Sequence, residues 1–411
     1  MLYRKFKNDG DELSVLGFGC MRLPQKKGRP GDGTIDEERA TKQIRMSIER
    51  GVNYLDTAMP YHMGTSEPFL GRALSDGYRD KVKIATKLPH WDVKVPEDME
   101  SLLRSQIKRL NSEKVDYYLI HALNGKSWER LETLDVCNFM TRAKTNGLIT
   151  NIGFSFHGDR KDFEKIIDSY DWDFCQIQYN YLDQQNQAGT KGLKYAASKG
   201  LGIIIMEPLR GGLLGGKAPP EIEKIWGEAE EKRTPAEWSL RWIWNHPEVT
   251  VVLSGMNEES HIEENIRIAN EAYPESLTKN ELELIKRVAH KYRSLMKVGC
   301  TGCHYCMPCP SGVDIPTCFE FYNQLHMFGD AKMAKLGYLV RVGGLAGNPG
   351  RASQCEGCKE CEEACPQKLP VSDLMKDVAI EMEGRFFDPK VWLFKKFMQF
   401  SRWKTLRNAP K

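Results

Sequence analysis

Eight thiols in two short runs are the densest chemistry in the 411-residue chain. Cys300, Cys303, Cys306 and Cys309 form the first run, closed by Pro310; Cys355, Cys358, Cys361 and Cys365 form the second, closed by Pro366. Three cysteines at two-residue gaps can wrap one corner of an iron–sulfide cubane, and a fourth just before proline can reach a second cube. The spacing therefore predicts two [4Fe–4S] clusters, serving electron transfer or structure. A crossed assignment puts Cys300, Cys303, Cys306 and Cys365 on one cluster and Cys355, Cys358, Cys361 and Cys309 on the other. The first run is one residue short in its final gap, and an uncrossed assignment is the rival. Two zinc sites would call for pairs of CxxC knuckles rather than triplets followed by Cys-Pro. Cys137, Cys175 and Cys318 read as buried small hydrophobes.

A second constellation is spread along the first third of the chain. Asp56, Lys87 and His121 each end a short apolar run, and Tyr61 follows Asp56 closely. A phenol with a pKa near ~10 is a weak acid at neutral pH. A nearby ammonium favours the phenolate and is expected to bring that pKa down. Asp56 can hold Lys87, and their pairing offsets desolvation. Tyr61 can then donate a proton to a carbonyl oxygen while hydride reaches the carbon, and His121 can aim that oxygen. Alone, each of these residues reads first as a solvated strand end or a structural histidine; it is their sharing of one rim that suggests chemistry.

The elements that must create that rim are legible from periodicity. Strands are predicted at Leu13–Gly19, Asn53–Asp56, Val82–Thr86, Val115–Ile120, Asn151–Phe154, Phe174–Gln178, Gly202–Met206 and Val249–Leu253. Amphipathic helices alternate with them, among them Asp36–Arg50, Pro96–Leu110 and Asp159–Ser169, and several stop near Gly51, Gly147 or Gly200. Eight βα units predict an α/β fold, a (β/α)8 barrel with its chemistry at the strand C-termini; an open doubly wound sheet is the alternative. A hairpin, Tyr3–Lys7 and Leu13 onward around Asn8-Asp9-Gly10, is expected to plug the barrel floor. Cys20 is expected near the mouth. Gly17-x-Gly19 lacks a third glycine and runs into Pro24 and the Lys26–Gly33 loop, so it is no dinucleotide fingerprint. The glycine-rich loop Arg210–Gly216 can approach a phosphate through backbone N–H groups, or be a mobile surface loop.

Several segments together resemble the aldo/keto reductase family: Leu16-Gly17-Phe18-Gly19-Cys20; Leu55-Asp56-Thr57-Ala58 with Tyr61 and Gly64-x-Ser66-Glu67; Ala85-Thr86-Lys87; and Asp116-Tyr117-Tyr118-Leu119-Ile120-His121. The likeness covers about residues 1–290, and the whole chain resembles the branch with a ferredoxin-like C-terminal extension. The resemblance implies a (β/α)8 TIM barrel that reduces a carbonyl to an alcohol, or the reverse, with NADP or NAD. It implies Asp56, Tyr61, Lys87 and His121 as a catalytic tetrad. It further implies Ser155 and Gln176 at the nicotinamide carboxamide, Leu209, Gly211 and Leu213 along the pyrophosphate, and Glu264 and Asn265 at the adenine. Three departures stand out. Met206 replaces a ring-stacking tyrosine, and a thioether can still pack on a ring face. Gly255 and His261 stand where a lysine and an arginine meet a 2′-phosphate, which leaves NADP and NAD both open. Met21 replaces a substrate-pocket tryptophan.

Organisation and partners follow. The expected domains are the barrel over 1–295, a mainly helical dicluster 4Fe–4S domain over 296–385, and a basic aromatic tail over 386–411 packing on the barrel or a partner. A net charge of +3 gives no broad basic field for nucleic acid. No apolar run of signal or spanning length is present, and CxxC spacing argues for a reducing, cytoplasmic setting. A small-molecule carbonyl or alcohol is the expected substrate. Hydride carries two electrons and a cubane takes one, so two other readings stay open: a ferredoxin-coupled oxidoreductase holding a flavin or another redox group in the barrel, with a ferredoxin-like redox partner, and a non-catalytic electron-transfer or structural subunit. The tail also leaves peripheral membrane contact open.

Overall fold

A computed structural model describes residues 1–7, 10–26, 34–328, 330–344, 349–384, 387–389, 391–393 and 396. The expected turn at Asn8-Asp9, most of the Lys26–Gly33 loop and most of the 386–411 tail lie outside the described residues. The chain divides into two compact units, one of Met1–Lys217 with Ala229–Lys286, the other of Ala218–Glu228 with Arg287 onward.

The first unit is a closed parallel barrel. Two short strands, β1 (Tyr3–Lys5) and β2 (Glu12–Ser14), pair antiparallel ahead of it. The barrel strands follow in chain order: β3 (Leu16–Gly19), β4 (Tyr54–Asp56), β5 (Lys83–Leu88), β6 (Val115–Leu123), β7 (Ile149–Phe156), β8 (Phe174–Gln178), β9 (Gly202–Met206) and β10 (Val251–Ser254), with β10 pairing back to β3. Closure excludes the open-sheet alternative. The predicted strand Leu13–Gly19 is split. Leu13 belongs to the hairpin, and the chain changes partner at Ser14, whose hydroxyl donates to the Leu16 carbonyl at 2.7 Å. Strands β6 and β7 run further than predicted, through an irregularity between Ile120 and Leu123.

Helices cover the barrel as their periodicity requires. The helix Glu37–Glu49 starts at Asp36, whose carboxylate accepts from the Arg39 N–H, and buries Ala40, Ile44 and Ile48 on one face. It ends before Gly51 at φ 99°, a left-handed position that a glycine adopts without strain.

The hairpin plugs the floor. Phe6 and Leu13 join Tyr54, Tyr117, Phe174 and Ile204 in one buried cluster. Phe6 meets Tyr117 edge-on at 5.0 Å between ring centroids, and Tyr117 meets Phe174 at 5.3 Å. Gly202 makes room for this plug: a Cβ there would fall 2.2 Å from the Phe6 ring.

In the second unit the helices Ile315–Phe328, Ala331–Arg341 and Val371–Val378 surround Phe319, Tyr338, Met375 and Val378. The Tyr338 hydroxyl accepts from the Ala352 N–H and donates to Glu383, each at 2.8 Å, so its burial leaves no polar atom stranded. Cys318 is buried here and Cys175 in the barrel, as expected. Cys137 is only half-buried, because it sits on the outward side of the helix Val136–Thr145, whose buried residues are Val136, Phe139, Met140 and Ala143. Among the described residues no helix is long and apolar enough to cross a membrane.

Phe6→Ala should destabilise the chain by about 3–5 kcal/mol, the usual cost of emptying a buried aromatic site. Urea unfolding checks this: the midpoint should fall, with the slope unchanged.

Candidate active site

The strand ends bring the four predicted residues to one mouth. Asp56 closes β4, Lys87 lies one residue from the end of β5, and His121 lies near the end of β6; all three are buried. The Lys87 ammonium donates to both oxygens of Asp56 at 2.7 Å and to the Thr57 carbonyl at 2.8 Å. Its distance to the Tyr61 hydroxyl is 3.3 Å. The Tyr61 and His121 rings stand edge-on with centroids 6.2 Å apart. Trp91, from the turn after β5, packs 5.1 Å from the His121 ring. Cys20 is buried at the end of β3, close enough that Asp56 and Lys87 both act on its thiol.

Tyr61 is mounted on an unusual turn. His62 and Met63 take left-handed torsions, φ 50° and 53°, and Gly64 follows at φ 88°. Such torsions cost a non-glycine residue about 1–2 kcal/mol. Fixed contacts hold them: the His62 ring accepts from the Leu23 N–H at 3.1 Å, and the Thr65 hydroxyl donates to the His62 carbonyl at 2.7 Å.

Electrostatics set the protonation states. Burial, reinforced by Asp56, Cys20 and Glu207, pushes the Tyr61 phenol well above its ordinary value. The expected lowering by Lys87 is thus overturned, because desolvation of the phenolate and the nearby acidic groups set the direction. Burial, then the charge of Lys87 and the neighbouring His157 and His90, holds His121 well below the ordinary histidine value, so its ring is neutral. Burial raises Asp56, opposed by its contacts with Lys87. The arrangement is a protonated phenol beside a pinned ammonium and a neutral imidazole.

A layer beneath the mouth was not assigned from sequence. Glu67, buried, accepts from Thr86 at 2.6 Å and Gln106 at 2.7 Å, and pairs with Arg109. Gln106 also donates to the Lys87 carbonyl at 2.9 Å, fixing the backbone that carries the ammonium. The available signal was Gln106 itself, a polar residue on the same buried helix face as Met99 and Leu103. A second network joins Gln178 to Asp183 and Glu207, each at 3.2 Å, and Arg210 to Asp183 at 3.0 Å.

The residues expected at a nicotinamide cofactor fall into three places. Ser155 and Gln176 are register partners on β7 and β8, and Met206 ends β9. Ser155 accepts from the Ala122 N–H at 2.7 Å, while the Gln176 side-chain oxygen is buried with no hydrogen-bond partner among the described residues. Leu209, Gly211 and Leu213 belong to or flank the tight turn Arg210–Gly212. Gly255 follows β10, and Asn265 donates to Ser254 at 2.9 Å. His261 is exposed, and Glu264 accepts from Thr234 at 2.6 Å.

The cysteine runs require a correction. Among the described residues no group of three or more His, Cys, Asp or Glu side chains is placed to hold a metal ion. The two expected [4Fe–4S] clusters, and the iron–sulfur, metal-binding role given to Cys300, Cys303, Cys306, Cys309, Cys355, Cys358, Cys361 and Cys365, are therefore not carried forward. What folds is two looser groups of thiols. Burial, then Cys303, Cys300 and Cys365, raises the Cys306 thiol; burial, then Cys355 and Cys358, pushes Cys361 up to about 11. Cys306, Cys309, Cys355, Cys358 and Cys361 border a cavity of ≈ 140 Å³.

Comparison with known proteins agrees with this geometry. Residues 15–288 match the family model "Aldo/keto reductase family", and residues 299–369 match "4Fe-4S dicluster domain". The two matches together bear out the resemblance to the branch with a ferredoxin-like C-terminal extension. The chain is 28% identical to aflatoxin B1 aldehyde reductase member 2 of Rattus norvegicus over 286 residues, 58% of this chain and 77% of that protein. It is 25% identical to L-galactose dehydrogenase of Arabidopsis thaliana over 315 residues, 71% and 95% of the two chains. The solved structure of aldo-keto reductase AKR11C1 from Bacillus halodurans superposes with TM-score 0.57 at 22% identity, over 70% of this chain and 96% of that one.

Buried neutral histidines make stability depend on acid. Burial holds His157 at about 4, against an unfolded value of about 6.5. Its contribution is complete above about pH 6.5 and is lost as pH falls towards 4, because the unfolded chain takes up the proton first. At pH 5 the loss is on the order of 2 kcal/mol. His157→Gln should therefore flatten the decline in urea midpoint between pH 7 and pH 5 relative to the parent chain.

Proposed function

Since the chain belongs to the aldo/keto reductase family, we propose that it reduces the carbonyl of a small molecule to an alcohol at the expense of NADPH or NADH, with Tyr61 as proton donor. The observation that carries the reading is the Tyr61 hydroxyl, 3.3 Å from an ammonium that Asp56 and Thr57 hold in place.

The site suits a nicotinamide carboxamide. The buried, unpartnered oxygen of Gln176 can accept from an amide N–H, and Ser155 beside it offers a hydroxyl. When bound, the reduced nicotinamide would supply a hydride, one proton with two electrons, to the carbonyl carbon. Every other part falls to the protein. His121, neutral, donates a hydrogen bond to the carbonyl oxygen and fixes its direction. Tyr61 gives that oxygen a proton as charge develops there. The resulting phenolate faces Lys87, whose charge is already oriented and needs no rearrangement at the moment of transfer. Tyr61 recovers its proton from solvent. Asp56 acts by positioning Lys87, and Glu67 and Gln106 by positioning the strand that carries it.

Two outcomes test this. Tyr61→Phe should lower kcat for reduction of an aldehyde by about 10²- to 10⁴-fold while leaving quenching of protein fluorescence by NADPH or NADH intact. Because burial raises the phenol, reduction should persist through the neutral and mildly alkaline range and decline only once Tyr61 ionises; a decline beginning near pH 7 would remove Tyr61 from the donor role.

A further inference from the structure

One helix of the second unit presents a face that its own core does not use. Ala331–Arg341 buries Ala334, Tyr338 and Leu339, yet Met333, Leu336 and Val340 are 63%, 44% and 42% exposed. Spaced three and four residues apart, they form one stripe. Lys332, Lys335 and Arg341 are exposed beside it, and the helix contains no acid. Among the described residues none of these three cations pairs with a carboxylate. The carboxylates around the helix are engaged: Asp330 caps the helix through the Met333 N–H, Glu383 takes the Tyr338 hydroxyl, and Asp388 takes Arg351.

The same chemistry recurs later in this unit. Val391 is buried in the core, and it holds Trp392 and Leu393 out at 62% and 64% exposure. No acid follows Asp388, while aromatic residues and lysines alternate onward from Trp392.

Large apolar side chains interleaved only with cations match the interfacial region of a bilayer, where the apolar groups enter the acyl boundary and the cations meet anionic headgroups. A folded acidic partner would call for a shaped recess and directed hydrogen bonds, whereas this face offers a single helical stripe of exposed apolar side chains beside three exposed cations. We propose that the exposed face of the helix Ala331–Arg341 docks the protein on an anionic membrane surface.

Sedimentation of the full chain with vesicles tests the proposal. Vesicles of phosphatidylcholine with phosphatidylserine should carry the protein down, vesicles of phosphatidylcholine alone should not, and added salt should release it. The variant Lys332→Gln/Lys335→Gln/Arg341→Gln should lower partitioning by about fivefold per residue. Met333→Ser/Leu336→Ser/Val340→Ser should lower it as well. Both triples change exposed side chains only, and an unchanged thermal unfolding midpoint verifies their folding. The proposal is overturned if anionic vesicles leave the protein in solution, if neither triple alters partitioning, or if soluble polyglutamate retains the protein while vesicles do not, which would indicate an acidic protein instead.

Discussion

A lysine and an aspartate taken out of water together, at the end of two neighbouring strands, govern the active site. Removing either partner would strand the other as an unpaired buried charge, a change that costs several kcal/mol. Lys87 meets the requirement with three short hydrogen bonds, two to Asp56 and one to the Thr57 carbonyl. The same burial that makes the pair demanding makes it useful. The ammonium stands 3.3 Å from the Tyr61 oxygen, and in the proposed reaction the phenol keeps its proton until a substrate draws it away. The geometry is then secured from below, since Glu67 and Gln106 fix the segment Thr86–Lys87 through contacts that never reach the mouth.

The architecture and the four mouth residues were readable in the chain because they rest on local signals. Alternating apolar runs of strand length specify β8 and β9 to the residue, and chemically active types at strand ends mark Asp56, Lys87 and His121. What escaped depends on distant neighbours. The break between Leu13 and Leu16 is silent in sequence, because both sides are apolar and only their strand partners differ. The direction of the Tyr61 shift was misread for the same reason: the ammonium was visible as a nearby charge, whereas the depth of burial that outweighs it is a property of the assembled barrel. The cysteine runs show a further limit. Their spacing is written in the sequence, but whether thiols converge on one point depends on the loops that separate them.

Tyrosine has contrasting duties across the chain. Tyr117 and Tyr338 are fillers whose hydroxyls are committed, one to Asp11 at 2.9 Å and the other to Ala352 and Glu383. Tyr61 shares their raised phenol, yet its hydroxyl looks towards a cation and the open end of the barrel rather than towards a permanent acceptor. The same functional group thus serves as a strut or, in the proposed reaction, as an acid according to whether its hydrogen bond is closed within the fold.

The backwards-wound turn at His62 and Met63 limits how this chain can change. Torsions of that hand are easiest for residues without a branched β-carbon and hardest for valine, isoleucine or threonine. Descendants of the chain can therefore drift in the polarity of the exposed Met63 but hardly in its shape, while His62 is held in both by its hydrogen bond from the Leu23 N–H. Variation close to the acid should be narrow at positions that perform no chemistry, and a lineage that relaxed the winding would have to find a new way to aim its phenol.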